Sequence, residues 1–140
     1  MQMNKIKLEI EAATENVSLA RVMACAFVSV YDPTVAELSD IKTAVSEAVT
    51  NAVIHGYGEK NGTVEIFLSE NEREITIEIC DKGAGIENIE SAREPLFTTK
   101  PEMERSGLGF TVMEQFMDSV EIKSKIGEGT TVILTKKLWS

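Results

Sequence analysis

Glu47 and Asn51 stand four residues apart in the run Ser46-Glu47-Ala48-Val49-Thr50-Asn51-Ala52-Val53-Ile54-His55-Gly56. In a helix that spacing brings both side chains to one face. A carboxylate there can take a proton, and a carboxamide oxygen can ligate a hard cation. An E-x-x-x-N pair arises by chance in roughly a third of chains of ordinary composition, so its weight depends on its company. Three glycine turns follow it: Asp81-Lys82-Gly83-Ala84-Gly85-Ile86, Ser106-Gly107-Leu108-Gly109-Phe110 and Gly127-Glu128-Gly129-Thr130-Thr131.

The first turn leaves an isoleucine-rich strand. Gly83 and Gly85 permit positive φ and let backbone approach a flat ring, and Asp81 can accept a hydrogen bond from an exocyclic amine. A solvated turn after a strand explains the same residues equally well. In the second turn a loop enters a helix, where free N–H groups form an anion site. Its plain alternative is ordinary helix entry with Ser106 as cap, and no G-K-[ST] follows to make it a Walker loop. The third joins two strands and reads locally as a hairpin turn, from which Thr130 can reach a ring through water.

These residues need elements to hold them. At 140 residues and 43% hydrophobic content the chain suits one globular domain spanning 1–140. A formal charge of -9 disfavours a direct grip on nucleic acid or an anionic membrane. Met1 to Ile10 alternates charged and apolar residues rather than forming a signal peptide. Val17 to Tyr31 is the most apolar stretch, and Arg21 interrupts it, so no membrane span is expected. Cys25 and Cys80 lack metal-like spacing and suit two buried thiols of a cytoplasmic protein.

Alternation at Ile6, Leu8 and Ile10 predicts a strand. The spacing predicts a helix over about Val17 to Val30, capped by Thr14 or Asn16, and a second over about Val35 to Ile54. Leu38, Ile41, Val45, Val49 and Ala52 form the second helix's apolar stripe. Glu47 and Asn51 fall on the opposite side, outside its core packing, and Gly56 and Gly58 close it. Strands are expected over Thr63 to Leu68 and Glu74 to Cys80, joined by a hairpin at Asn71-Glu72-Arg73. A long polar loop from Glu87 to Ser106 leads to a helix from Leu108 to about Met117, then strands near Val120 to Lys125 and Thr130 to Lys137. The order implies an α+β two-layer sandwich, not a doubly wound sheet.

In this order, the Glu/Asn pair and the three glycine turns resemble the motifs of the Bergerat-fold ATPases, which include DNA gyrase, Hsp90, histidine kinases and MutL. Ser46 to Tyr57 is closer still to the bacterial anti-sigma-factor serine kinases, and the resemblance extends over essentially the whole chain. It implies a mixed, mainly antiparallel sheet covered on one face by about three helices. It also implies ATP or ADP with Mg²⁺ as cofactors. Asn51 would ligate the Mg²⁺, and Glu47 would act as base toward an attacking hydroxyl. Asp81 would bind the adenine amine, with Gly83, Gly85, Ile86 and Thr130 around the base. Gly107, Leu108, Gly109 and Phe110 would meet the phosphates, and Phe97 to Ser106 would form a lid over them. Thr98 and Thr99 would be polar contacts of that lid, and Lys100 and Arg105 read either as its cations for the γ-phosphate or as a solvated loop face.

His55 reads as a nucleotide-neighbouring or helix-terminal residue, since its neighbours do not resemble a phosphoacceptor motif and no acceptor domain fits in this length. The resemblance therefore implies an acceptor serine on another protein, an anti-anti-sigma factor. It further implies a sigma factor of the sporulation sigma F type as binding partner, and a homodimer with its contact between Lys5 and Val30. Arg21 reads either as a partner contact or as a solvated helix edge. Three other readings stand beside this one: a nucleotide-gated binding module without useful catalysis, a stress-response relative of the same kinases, and a detached histidine-kinase domain.

Overall fold

The computed structural model describes residues 3–57, 61–85 and 109–139, the side chain of His55 excepted. Among the described residues, period-two alternation yields five strands: β1 (Asn4–Glu11), β2 (Thr63–Asn71), β3 (Glu74–Asp81), β4 (Ser119–Lys125) and β5 (Gly129–Lys137). They form one sheet in the order β1-β2-β3-β5-β4, and all four pairings are antiparallel. The register sets Ile66 beside Ile79, Leu68 beside Ile77, and Ile77 beside Leu134. These residues are fully or almost fully buried on one face. Burying each such side chain contributes roughly 1.5–3 kcal/mol.

Helices α1 (Glu15–Ser29), α2 (Val35–Asn51) and α3 (Phe110–Phe116) supply the other layer. Ala20, Ala24, Phe27 and Val28 of α1 join Ile41, Ala44, Val45, Ala48 and Val49 of α2 in the core, together with Phe110 and Met113 of α3. Thr34 caps α2 through a reciprocal box: Glu37 N–H donates to the Thr34 hydroxyl at 3.0 Å, and Thr34 N–H donates to the Glu37 carboxylate at 2.8 Å. At α1, Thr14 occupies the N-cap position without a side-chain bond, while Asn16 donates to the Glu11 carbonyl at 3.0 Å.

Two expectations about α2 need correction. Its regular part ends at Asn51, and Ala52–Tyr57 is a π-helical turn instead of three more α-helical residues. Asn51 is also only 8% exposed. The apolar stripe locates one buried side, but α2 packs against both α1 and α3, so the flank opposite the stripe is covered too.

The hairpin after β2 is a two-residue turn with Glu72 at φ 50° and Arg73 at φ 67°, the twist that suits antiparallel strands. Arg73 holds it through its own N–H to the Glu70 carboxylate at 2.9 Å and its guanidinium to the Trp139 carbonyl at 2.7 Å. Among the described residues no helix is long and apolar enough to cross a membrane.

Candidate active site

Asp81 is the last residue of β3 and lies opposite Thr130 of β5. Its side chain is 8% exposed. Gly83 N–H donates to Oδ1 at 2.9 Å, and the Thr130 N–H also bonds the carboxylate. Burial outweighs these two donors and pushes the Asp81 carboxyl up to about 6. The result is an acceptor withdrawn from water yet held in place, suited to a ligand's N–H. The Thr130 hydroxyl, also buried, is 2.7 Å from the Ser124 hydroxyl across the β4–β5 pair.

Glycines let three turns interlock around this carboxylate. A Cβ at Gly56 would sit 2.8 Å from Asp81 Oδ1, and one at Gly83 would overlap the Gly56 carbonyl. Ala84 N–H donates to that same carbonyl at 2.7 Å, and Gly127 N–H donates to the Ala84 carbonyl at 2.9 Å. Gly85, at φ 80°, lies on the Lys125 carbonyl, and Gly129, at φ 102°, lies on the backbone of Asp81 and Lys82. The π-helical turn, the turn after β3 and the β4–β5 hairpin thus meet backbone to backbone, as glycine allows.

Glu47 and Asn51 occupy the last turn of α2. The N-terminus of α3 comes down on this pair: Gly109 has φ 74°, and any side chain there would run into the Glu47 carboxylate. Phe110, the next residue, is 1% exposed in the core, so only its backbone can face a ligand. Among the described residues no group of three or more His, Cys, Asp or Glu could hold a metal alone. A Mg²⁺ ion fits the donor that is present, because it takes few protein ligands when phosphates and water complete its octahedron. Asn51 supplies one buried amide oxygen of the required hard type.

The fold therefore brings Asp81, Gly83, Gly85 and Thr130 together, and separately Glu47, Asn51 and Gly109. The two groups are joined by the π-helical turn, which starts directly after Asn51 and sets Gly56 against Asp81. His55 lies on that turn. Ile86, Thr98, Thr99, Lys100, Arg105, Ser106, Gly107 and Leu108 lie outside the described residues. Gly56, Tyr57 and Ser124 also belong to the site's framework, though no local sequence pattern marks them as parts of it. For Ser124 the only signal was its strand register opposite Thr130.

The family profile "Histidine kinase-like ATPase domain" matches residues 10–136. The chain is 57% identical over 136 residues to the anti-sigma F factor of Clostridium perfringens SM101, covering 96% of this chain and 97% of that protein. It is 55% identical over 134 residues to the anti-sigma F factor of Clostridium acetobutylicum, covering 96% and 94%. To that of Anoxybacillus flavithermus it is 56% identical over 136 residues, covering 96% and 93%.

Among solved structures, the RsbU and RsbW domains of a Mycobacterium tuberculosis protein share the fold. The TM-score is 0.71 at 19% identity, over 96% of this chain and 32% of that one. The catalytic domain of the histidine kinase ThkA shares it with a TM-score of 0.58 at 17% identity, over 99% and 97%. With 54–57% identity to several relatives over nearly their full length, the chain belongs to the histidine kinase-like ATPase family and, within it, to the anti-sigma F factors.

Proposed function

We propose that this chain, acting as a single ATP-binding domain in the cytoplasm, holds a sigma factor of the sigma F type and is a serine kinase for its anti-anti-sigma factor. The observation that carries this reading is the placement of Glu47. Its carboxylate stands one helical turn from the buried Asn51 and against the backbone of Gly109. Recognition of a base needs neither Glu47 nor Asn51, whereas phosphoryl transfer uses a proton acceptor beside a metal ligand.

In this reading Asp81 accepts the hydrogen bond of the adenine amine, and the glycine turns let backbone lie against the ring. Asn51 offers its amide oxygen to Mg²⁺ at the phosphate end. Bound there, Mg²⁺ neutralises charge on the phosphates. Glu47 takes the proton of the incoming serine hydroxyl as its oxygen bonds to the γ-phosphorus and the bond to the ADP oxygen breaks. Positioning supplies much of the acceleration, since the loose transition state asks for little covalent work from the protein.

A homodimer accords with the outer side of α1, where Leu19, Val22, Met23 and Val30 are exposed, with Ile6 exposed on the edge strand β1. An apolar stripe of that kind suits a protein contact. Arg21 lies within the same helix, where it can serve a polar contact at the rim.

Single-turnover incubation with γ-labelled ATP and a purified anti-anti-sigma factor tests the kinase reading, and sigma capture in ATP or ADP tests the binding one. Label on serine together with captured sigma factor is the expected result. Tight sigma binding without labelled serine would favour a nucleotide-gated binding module. Absence of both labelled serine and captured sigma factor, on a folded protein, would overturn the proposed function.

A further inference from the structure

Tyr57 ends the π-helical turn, and its ring packs against the core. The ring fills a slot that Gly62 leaves open, since a Cβ at 62 would overlap it. Its hydroxyl donates to the Thr63 carbonyl at 2.7 Å and accepts from the Lys82 N–H at 2.8 Å. One oxygen therefore ties together the end of the π-helical turn, the first residue of β2 and the residue directly after Asp81. On the other side of the same turn, Ala84 N–H donates to the Gly56 carbonyl at 2.7 Å. Gly56 and Tyr57, adjacent in sequence, thus grip the Asp81–Gly83–Ala84 turn at two points.

Filling the slot does not require the hydroxyl, because a phenylalanine ring has the same outline. What the oxygen adds is a fixed position for Lys82, and through it for the preceding carboxylate. We propose that Tyr57 is a positioning residue for base recognition, aiming Asp81 at a donor amine on the bound purine. The inference rests on the reading of Asp81 as the acceptor for that amine. Glu47 and Asn51 precede the π-helical turn on α2, so loss of the hydroxyl leaves the transfer machinery in place. The defect falls on binding.

Tyr57→Phe is tested against two probes, ADP and purine riboside 5′-diphosphate, which lacks the amine. Expected is a loss of ADP affinity of about three- to tenfold, the worth of an ordinary hydrogen bond, with a change below about twofold for the amine-free probe. In transfer assays the KM for ATP should rise by the same factor while kcat is held. Equal weakening of both probes, or no weakening of ADP, would overturn the proposal.

Asp81→Ala, which removes the acceptor, separates the two ideas when measured alongside. If it leaves the preference for ADP over the amine-free probe intact, the Asp81 reading fails and the Tyr57 proposal fails with it. If Asp81→Ala abolishes the preference while Tyr57→Phe does not narrow it, only the Tyr57 proposal fails. Should Tyr57→Phe not fold, amide exchange on the unmodified protein decides. Protection of the Lys82 N–H that rises with ADP but not with the amine-free probe is expected. Exchange at the free-amide rate, or an equal rise with both, would overturn the proposal.

Discussion

Gly109 rests directly on the carboxylate of Glu47, with its backbone at φ 74° and no room for a side chain. The contact brings the start of α3 against the end of α2 at the residue proposed to take a proton. Gly109→Ala would force both a left-handed alanine and a displaced carboxylate. The strain at such a backbone position is about 1–2 kcal/mol, measurable by urea unfolding. The displaced base should lower single-turnover transfer by at least about tenfold, because misplacement of this kind acts on positioning. Transfer at the unmodified rate would show that Glu47 keeps its place without help from Gly109.

Glu47→Ala probes the proposed base itself. Loss of a general base lowers the rate by about a hundredfold or more. Nucleotide affinity, read by calorimetry with ADP, should stay within about threefold, since the Asp81 pocket is built from β3, β5 and the π-helical turn. Equal loss of transfer and binding in a folded variant would assign Glu47 a structural role.

How far this site can be read from sequence depends on the range of the contact. The strands and their faces were legible because alternation is local, and Ile75, Ile77 and Ile79 announce a buried face on their own. Asp81, Gly83 and Gly85 were legible as a turn with an acceptor. The burial that raises the carboxyl was not, because it depends on Thr130 arriving opposite Asp81 in the β3–β5 register. Asn51 was misplaced for a related reason: periodicity within one helix reports one buried side and says nothing of a second helix on the flank. Gly56 reads locally as a helix terminator. Its carbonyl meets Ala84, 28 residues on, only because the chain takes a π-helical turn first.

The buried carboxylate also gives stability a pH signature. The Asp81 pKa of about 6 in the folded protein lies above its ordinary 3.8, because burial opposes its charge. Between those values the folded state binds more protons than the unfolded chain, so stability from this group falls as pH rises through the window. The penalty is absent below the lower value and complete above the upper one, where it reaches up to about 3 kcal/mol. Asp81→Asn cannot ionise. It should melt several degrees above the unmodified protein near about pH 7.5, and the gap should close as pH falls toward 4. A gap independent of pH would mean that the carboxylate is not desolvated as described.

Glu37 carries the opposite sign at the other end of α2. Burial alone would raise its pKa, but N–H bonds from Thr34 and Trp139 outweigh it and hold the carboxyl below the usual range. The Trp139 N–H donates to Oε2 at 2.7 Å, joining the start of α2 to the segment that follows β5. Glu37→Ala removes the acceptor of two N–H groups and should cost about 2–3 kcal/mol at neutral pH. Because the folded pKa is lowered, this stabilisation is present above the unfolded value. It fades as pH drops through the folded one, so the two unfolding curves should converge in acid. Glu37 lies about 15 Å along α2 from Glu47, and ADP affinity should be unchanged in the folded variant. A parallel loss of affinity would mean that the clamp at the start of α2 also sets the geometry at its end.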